Sequence, residues 1–159
     1  MSQYDGKQFV GIDLHRRRSV IVRTTQTAQR LETVHILNDV QRLASVLARA
    51  GQAPEVVLEA TNGWYWAVDA LVELGASVHL AHPLGVKAFE YRRVKNDERD
   101  AGDLAELLRM GRLPEAWIAP PATRGVDPAL NARPSRGSTS CAPRGTVWAR
   151  YTDHGRRVP

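Results

Sequence analysis

The sequence predicts an α/β domain in which helices flank a mixed β-sheet. Residues 8–37 contain three successive apolar runs rich in β-branched residues, which indicates three strands in a row. From residue 39 onward, segments with helical spacing alternate with further strand-like runs. Both patterns stop at about Pro121. The chain of 159 residues is therefore expected to form one domain with a real core, followed by a tail.

Three strands come first. The run QFVGIDLH (8–15) is predicted to be a central strand, because its apolar residues occupy both alternating positions and would be buried on both faces of a sheet. The runs RRSVIVRT (17–24) and LETVHIL (31–37) follow, with turn-compatible polar residues between them.

Helices and strands then alternate. The segment DVQRLASVLARAG has apolar residues at helical spacing and ends in Gly51. PEVVLEA is predicted to be a strand, and TNGWYWAVDALVELG a helix capped by Thr61 or Asn62. The remaining predicted elements are a strand at 76–82, a short helix from Pro83 to about Glu90, and a helix from Asp97 to about Gly111.

Charge and composition divide the chain into three predicted segments: a flexible N-terminus at 1–7, a folded domain at 8–120, and a disordered basic tail rich in Pro, Gly and Arg at 121–159. Residues 1–120 contain 15 basic and 15 acidic residues, whereas the tail contains 7 and 2. The net charge of +5 thus belongs to the tail. It is weak evidence for nucleic-acid binding by the folded part.

Composition also excludes several classes of protein. The sequence shows no N-terminal signal region and no uncharged run of membrane-spanning length, so a cytoplasmic protein that does not contact membranes is expected. The single cysteine, Cys141, excludes a disulfide framework and a cysteine-based zinc site. His15, His79 and His82 share no ligand spacing, and no metal role is predicted for them.

Two acidic residues lie at the ends of predicted core strands. Asp13 is in FVGIDLH and Glu59 ends EVVLE. An ionised carboxylate in such a strand is costly unless it is paired, hydrogen-bonded, exposed at the strand end or bound to a metal. If the two strands are parallel neighbours, both acids reach the same edge of the sheet, where α/β sites form.

Two more acids lie at the start of the last predicted helix. Ala101, Leu104, Ala105 and Leu108 define its core face, and Asp97 lies roughly on that face with Asp100 on its flank. First-turn acids also favour the helix dipole, so ordinary capping is an alternative for either residue alone.

Four clustered carboxylates would repel one another, since a pair about 4 Å apart costs roughly 4 kcal/mol at an effective dielectric of 20. Protonation, a Lys or Arg partner, or divalent cations would relieve this repulsion. Oxygen ligands without a Cys or His cluster favour Mg²⁺ or Mn²⁺, and two such ions are a common device in phosphodiester chemistry.

Four motifs together carry a family resemblance: GIDLH, LEATNGWYW, AHPLGVKAF and VKNDERDAGDLAEL. In order and spacing they resemble the IS-one-ten family of bacterial transposases, which are DEDD recombinases with a RuvC-like N-terminal domain. The resemblance covers about residues 8–120 and implies a ribonuclease-H-like fold. It implies a metal-binding catalytic tetrad carried by Asp13, Glu59, Asp97 and Asp100. It also implies DNA transposition, a structured guide RNA as partner, an oligomeric synaptic complex and a bacterial cytoplasm.

The tail departs from the family pattern. Family members continue with a coiled coil and a second domain that carries a serine nucleophile, and nothing after Arg124 resembles these. We therefore expect a truncated chain that holds the metal half of a composite active site and is inactive alone.

Basic residues near the acids give weaker expectations. Arg92, Arg93 and Lys95 precede the acidic helix and would contact phosphate, although a lysine counterion to Asp97 is an equal alternative. Arg16 belongs to a basic cluster in a predicted hairpin, which is either solvated or binds nucleic acid.

Two other functions compete with the transposase interpretation. The first is a non-catalytic module that binds the DNA or RNA of the element with inherited, idle motifs. The second is an actin-like ATP-binding domain, because GIDLH also resembles the first phosphate loop of that class. The second is disfavoured, since His15, Arg16 and Arg17 follow the aspartate and no second glycine-rich loop appears.

Overall fold

A computed structural model describes residues 4–89 and 96–124. Its strands are β1 Gln8–Leu14, β2 Arg18–Thr25, β3 Arg30–Leu37, β4 Glu55–Glu59 and β5 Ser77–Ala81. Its helices are α1 Val40–Leu47, α2 Trp64–Glu73, α3 Pro83–Lys87 and α4 Asp97–Arg109, followed by a 3₁₀ turn at Pro121–Thr123. The predicted elements are all present, with ends shifted by a few residues.

The five strands form one mixed sheet in the order β3-β2-β1-β4-β5. The pairs β1–β2 and β2–β3 are antiparallel, whereas β1–β4 and β4–β5 are parallel. The predicted mixed sheet is confirmed. Because β1 and β4 are parallel neighbours, their carboxyl ends meet at one edge of the sheet.

Alternation along β1 separates two layers of core. Val10, Ile12 and Leu14 face the side covered by α1 and α2 and belong to the larger hydrophobic cluster. On the opposite side, α4 covers the sheet with its buried face, made of Ala101, Leu104, Ala105 and Leu107. Leu107 is thus buried where Leu108 was predicted, and Leu108 is only partly buried against the same cluster.

Gly11 sets the distance between α4 and the sheet. A Cβ at this position would collide with the carbonyl oxygen of Ala101 and lie 2.9 Å from the amide nitrogen of Ala105. The helix backbone therefore rests directly on β1, which only a glycine allows. One turn before Ala101, at the start of α4, this packing brings Asp97 to the end of β1.

The predicted caps of α2 are wrong. The helix begins at Trp64 after Gly63, which has a φ of 82°, and no side chain caps it. The chain between β4 and α2 makes a tight backbone turn instead, in which the Thr61 amide donates to the carbonyl of Glu59 and the Trp64 amide donates to that of Thr61. This turn takes the place of an extended N-cap residue.

Both predicted borders of the domain lie within residues that make contacts. Lys7 forms an ion pair with Glu55, in the segment predicted to be flexible. Arg124, the fourth residue of the predicted tail, donates to Asp69 and Ala119, and its side chain is 5% exposed. The Arg124 guanidinium lies over the rings of Trp64 and Tyr65 at the start of α2, 5.5 and 4.7 Å from the ring centres. Residues 1–3 and 125–159 lie outside the described ranges, and the three-segment division stays a prediction there.

No helix within residues 4–89 and 96–124 combines the length and the apolar character needed to cross a bilayer.

Candidate metal centre

Two carboxylates lie side by side at the carboxyl edge of the sheet. Asp13 is the last but one residue of β1, and Glu59 is the last residue of β4. The parallel register pairs Ile12 with Leu58, so the next step places Asp13 beside Glu59 on the face covered by α4. Neighbouring strands are about 4.8 Å apart. Asp13 and Glu59 therefore lie at the same edge of the sheet, and their role as joint metal ligands stays a prediction.

Asp97 joins this edge from α4. It is the first residue of the helix, whose N-cap, Asn96, accepts a hydrogen bond from the amide of Glu98. Asn96 rather than Asp97 supplies the cap, so the carboxylate of Asp97 is available for the sheet edge. Its Oδ2 lies 3.1 Å from Nε2 of His15, and that nitrogen lies 3.1 Å from Oδ2 of Asp13. The two aspartates thus meet around one imidazole.

Among the described residues, this cluster is the group with metal-ligand geometry. One ligand atom each from Asp13, His15 and Asp97 lies within 4.8 Å of the others. Glu59 and Asp100 are outside that group, although both are half-buried at the same end of the sheet and each has an interaction with a neighbour. Two of the four predicted tetrad members therefore converge closely, and the other two flank them.

His15 enters the site without having been predicted. Spacing between histidines carries no information here, because the side chains near His15 Nε2 are the carboxylates of Asp13 and Asp97 and not other histidines. The useful signal was its position, two residues after Asp13, since residues i and i+2 on an extended chain point to the same side.

The turn that carries His15 is held by buried polar contacts. The His15 amide donates to the carbonyl of Arg18 at 3.0 Å, which closes the β1–β2 turn. Asn38 is buried, donates from Nδ2 to the His15 carbonyl at 2.6 Å, and accepts from the Ser19 hydroxyl at 2.7 Å. Asn38 therefore fixes the backbone from which the imidazole projects. Sequence reasoning missed this residue as well.

Positive groups offset part of the charge of this site. Besides His15, Arg18 places Nη2 3.8 Å from Oδ2 of Asp97. The Arg18 side chain is 67% exposed, so its contribution to stability is small. An arginine, one of the three alternatives for relieving the repulsion between the acids, is thus present on β2. The lysine considered for this role, Lys95, lies outside the described residues, as do Arg92 and Arg93.

The donor set fits a hard divalent cation. Asp13 has a side chain only 15% exposed, and Asp97 supplies a second carboxylate close by. Carboxylate oxygens are the ligands that Mg²⁺ and Mn²⁺ prefer. Asp13, Asp97 and the neighbouring Glu59 would hold such an ion, and residues 4–89 and 96–124 contain no cysteine.

Arg16 and the aromatic residues at the start of α2 lie in different environments. Arg16 is exposed in the turn beside the acidic cluster, and its contact with nucleic acid stays a prediction. Trp64 is partly buried against the main core, and the rings of Trp64 and Tyr65 lie 3.9 Å apart with the Arg124 guanidinium over both. These aromatic rings therefore pack within the domain.

Comparison with known proteins agrees with this architecture. Residues 10–124 match the DEDD transposase family of the IS-one-ten type. The structure of T. thermophilus RuvC in complex with a Holliday junction substrate is similar to this chain, with a TM-score of 0.50, 17% identity, and coverage of 69% of this chain and 99% of RuvC. The ethanolamine utilization protein EutJ from Carboxydothermus hydrogenoformans has a TM-score of 0.39 and 12% identity, with coverage of 55% and 41%, a likeness too weak to define a fold. No curated protein matches this chain in sequence.

These findings confirm the predicted resemblance and the RuvC-like, ribonuclease-H-like fold. The family match spans the strands and helices that bring Asp13, Glu59, Asp97 and Asp100 to one end of the sheet. The chain belongs to the IS-one-ten family of DEDD transposases, and residues 10–124 form its RuvC-like catalytic domain.

Proposed function

We propose that this domain acts in DNA transposition by metal-dependent phosphodiester cleavage and strand exchange, with Asp13, Glu59, Asp97 and Asp100 as its metal-binding tetrad. The observation that carries the proposal is the meeting of Asp13 from β1 with Asp97 from α4 at the carboxyl edge of the sheet. Two acids distant in sequence are brought together although they repel, which favours a functional rather than a stabilising role.

Mg²⁺ or Mn²⁺ at this site would supply charge stabilisation at a phosphate and a water of lowered pKa. The residues of the chain hold and surround that charge. Asp13 and Asp97 supply the inner oxygen ligands, and Glu59 lies at the adjacent strand position. Arg18 and the exposed Arg16 stand beside the acids, where they would orient a phosphodiester backbone.

DNA is the proposed substrate. Support comes from the fold likeness to RuvC, which was solved on a Holliday junction, and from the arginine-bearing β1–β2 turn next to the acids. A structured guide RNA and assembly into an oligomer are also proposed, on the family relationship alone. For complete strand exchange we propose that a serine-bearing domain is required in addition to this one.

The test is nicking of supercoiled DNA by the full chain in Mg²⁺ or Mn²⁺. The chain is expected to be inactive in complete strand exchange without the serine-bearing domain, but its metal half should still nick DNA in a metal-dependent way, and Asp97→Asn should reduce this nicking to background. Asp103→Asn is the matched control, because Asp103 lies exposed on the same helix, away from the site. Nicking that persists in Asp97→Asn would contradict the assignment. Binding to DNA in a gel shift without any nicking would instead favour the non-catalytic nucleic-acid-binding alternative.

A further inference from the structure

We infer that His15 is a third ligand of the divalent cation, through Nε2, and that it favours Mn²⁺ relative to Mg²⁺. The inference deepens the proposed function and rests on it, since it concerns the same site. It goes beyond the four acids, because the cluster that the fold brings together is two carboxylates and one imidazole.

The distances are those of ligands around one ion. Two neighbouring ligand atoms of an octahedral ion with bonds of about 2.1 Å are about 3.0 Å apart. His15 Nε2 lies 3.1 Å from Asp13 Oδ2 and 3.1 Å from Asp97 Oδ2. Both separations therefore match adjacent coordination positions, without any movement of the chain.

The missing hydrogen bond at the buried imidazole nitrogen favours a ligand over a simple counterion. A histidine acting as an ion-pair partner would aim an N–H group at one carboxylate oxygen, with the alignment of a hydrogen bond. Nε2 of His15 is buried, and neither of its 3.1 Å approaches has that alignment. A buried nitrogen that is close to two carboxylate oxygens without a hydrogen bond to either is consistent with a ligand of an ion that both oxygens share.

The surroundings of His15 hold it in this position. Its amide donates to Arg18, and its carbonyl accepts from the buried Asn38, which also accepts from Ser19. A backbone fixed on both sides lowers the cost of ordering the ring when an ion binds. Outer contacts of this kind support ligands in metal sites generally.

An imidazole ligand changes which ion the site prefers. Mg²⁺ takes oxygen ligands and gives up its waters reluctantly, whereas transition-metal ions accept nitrogen readily. We therefore expect His15 to strengthen Mn²⁺ binding more than Mg²⁺ binding. Removal of the imidazole should therefore reduce the difference between the affinities for Mn²⁺ and Mg²⁺.

The experiment is Mn²⁺ binding to the full chain, followed by electron paramagnetic resonance. Wild type should bind Mn²⁺, and its spin-echo modulation should show coupling to an imidazole nitrogen. His15→Ala should lose that coupling and bind Mn²⁺ about ten-fold more weakly or worse. Mg²⁺, measured by displacement of Mn²⁺, should lose less affinity in the same variant.

His35→Ala is the matched control. His35 is exposed and contacts Glu98 near the start of α4, at 3.2 Å, so it supplies a second imidazole close to the site but outside the cluster. This variant should keep both the nitrogen coupling and the Mn²⁺ affinity. Loss of the coupling in His35→Ala would overturn the assignment to His15.

The remaining outcomes separate this inference from the proposed function. Mn²⁺ binding without nitrogen coupling in wild type would overturn the role of His15. It would still support a metal site formed by the carboxylates. Unchanged or tighter Mn²⁺ binding in His15→Ala would do the same, because His15 would then be a counterion that competes with the metal. No Mn²⁺ binding in wild type would overturn both. The coupling is measured on wild type, so a variant that fails to fold does not remove the test.

Discussion

At the scale of residues, the site sets two neighbouring negative charges against a few positive groups. Asp13 and Asp97 meet around His15, and Arg18 reaches Asp97 from an exposed position. Such an arrangement costs folding free energy, because like charges about 4 Å apart repel by about 4 kcal/mol at an effective dielectric of 20. Residues at functional sites commonly carry a cost of this kind, and its removal commonly stabilises a protein.

Substitution Asp97→Asn should therefore separate stability from metal binding. Without metal, we expect Tm to stay equal or rise, since the variant removes one of the repelling charges. With Mn²⁺ at 100 times its Kd, wild type should gain about 2.7 kcal/mol of stability. The variant should gain much less. Thermal unfolding with and without Mn²⁺ measures both effects.

Asp103→Asn serves as the control for that comparison, because Asp103 is exposed on the same helix. It should respond to Mn²⁺ as wild type does. If Asp97→Asn gained as much stability from Mn²⁺ as wild type, Asp97 would not be a ligand.

At the scale of elements, the contact between α4 and β1 decides whether the site exists. Gly11 lets the helix backbone rest on the strand, and this close packing brings Asp97 to the end of β1. Asp13 belongs to the same strand, two residues further on. A change in the spacing of these two elements should therefore affect stability and metal binding together.

Gly11→Ala tests this contact. Its Cβ would strike backbone atoms of Ala101, which cannot give way as a side chain does. We expect a loss of about 1–3 kcal/mol of stability, typical of overpacking in a core, together with weaker Mn²⁺ binding because α4 is displaced. Urea unfolding and calorimetry check the two effects.

Gly102→Ala is the control within α4 itself. A Cβ at Gly102 would meet only the end of the Arg30 side chain, at 3.1 Å, which can move. Alanine in a helix interior is favoured over glycine by about 1 kcal/mol, so this variant should be slightly more stable and bind Mn²⁺ normally. If Gly11→Ala and Gly102→Ala had equal stability and equal Mn²⁺ affinity, Gly11 would not set the contact between α4 and β1.

Arg124 tests whether the domain continues past residue 120. Its buried side chain donates to Asp69 at 2.8 Å and lies 4.7 Å from the ring centre of Tyr65. Arg124→Ala should cost about 1–2 kcal/mol through the lost ion pair and cation–π contact. Arg112→Ala removes an exposed arginine and should cost much less in the same urea titration. If the two variants lost the same amount of stability, the border of the domain would lie at residue 120.

At the scale of the whole molecule, a polar network beside the sheet makes stability depend on pH. Glu32 on β3 binds Arg23 on β2, with Oε2 2.8 Å from Nε, and binds Arg49 after α1, with Oε1 2.9 Å from Nη2. Burial raises the pKa of Glu32, but hydrogen bonds from Arg49 and Arg23 outweigh it and hold the pKa below its ordinary value of 4.5. The same balance holds for Glu55. Burial raises its pKa, but hydrogen bonds and charge interactions with His79 and Lys7 outweigh burial and hold the pKa below its ordinary value of 4.5.

The sign of the pH effect follows from these shifts. A glutamate with a lowered pKa binds its proton more weakly in the folded state, so it stabilises the fold above its unfolded pKa. That stability is lost as the pH falls through the folded value. The urea midpoint of wild type should therefore drop steeply below pH 4.5. The urea midpoint of Glu32→Gln should be lower than that of wild type at neutral pH and should fall less steeply as the pH decreases.

Glu73→Gln, which changes an exposed residue of α2, is the control for the pH series. It should follow the wild-type profile. Identical profiles for Glu32→Gln and wild type would show that this network does not set the acid limit of stability.

Much of this molecule follows from sequence patterns, and the remainder depends on packing between distant elements. Apolar alternation predicts the strands, and Asp13 and Glu59 follow from their places at strand ends. The roles of Gly11, His15 and Asn38 do not follow, because each depends on which backbone or side chain lies opposite in space. The caps of α2 were also missed, because a backbone turn with Gly63 took the place of a side-chain cap.

Anomalous scattering from crystals of the full chain soaked in Mn²⁺ tests most directly whether Asp13 and Asp97 bind a divalent cation. We expect a Mn²⁺ peak in contact with the carboxylates of Asp13 and Asp97, at the carboxyl edge of the sheet. A well-ordered site without a peak there, or a peak bound elsewhere while these two carboxylates bind no ion, would contradict it.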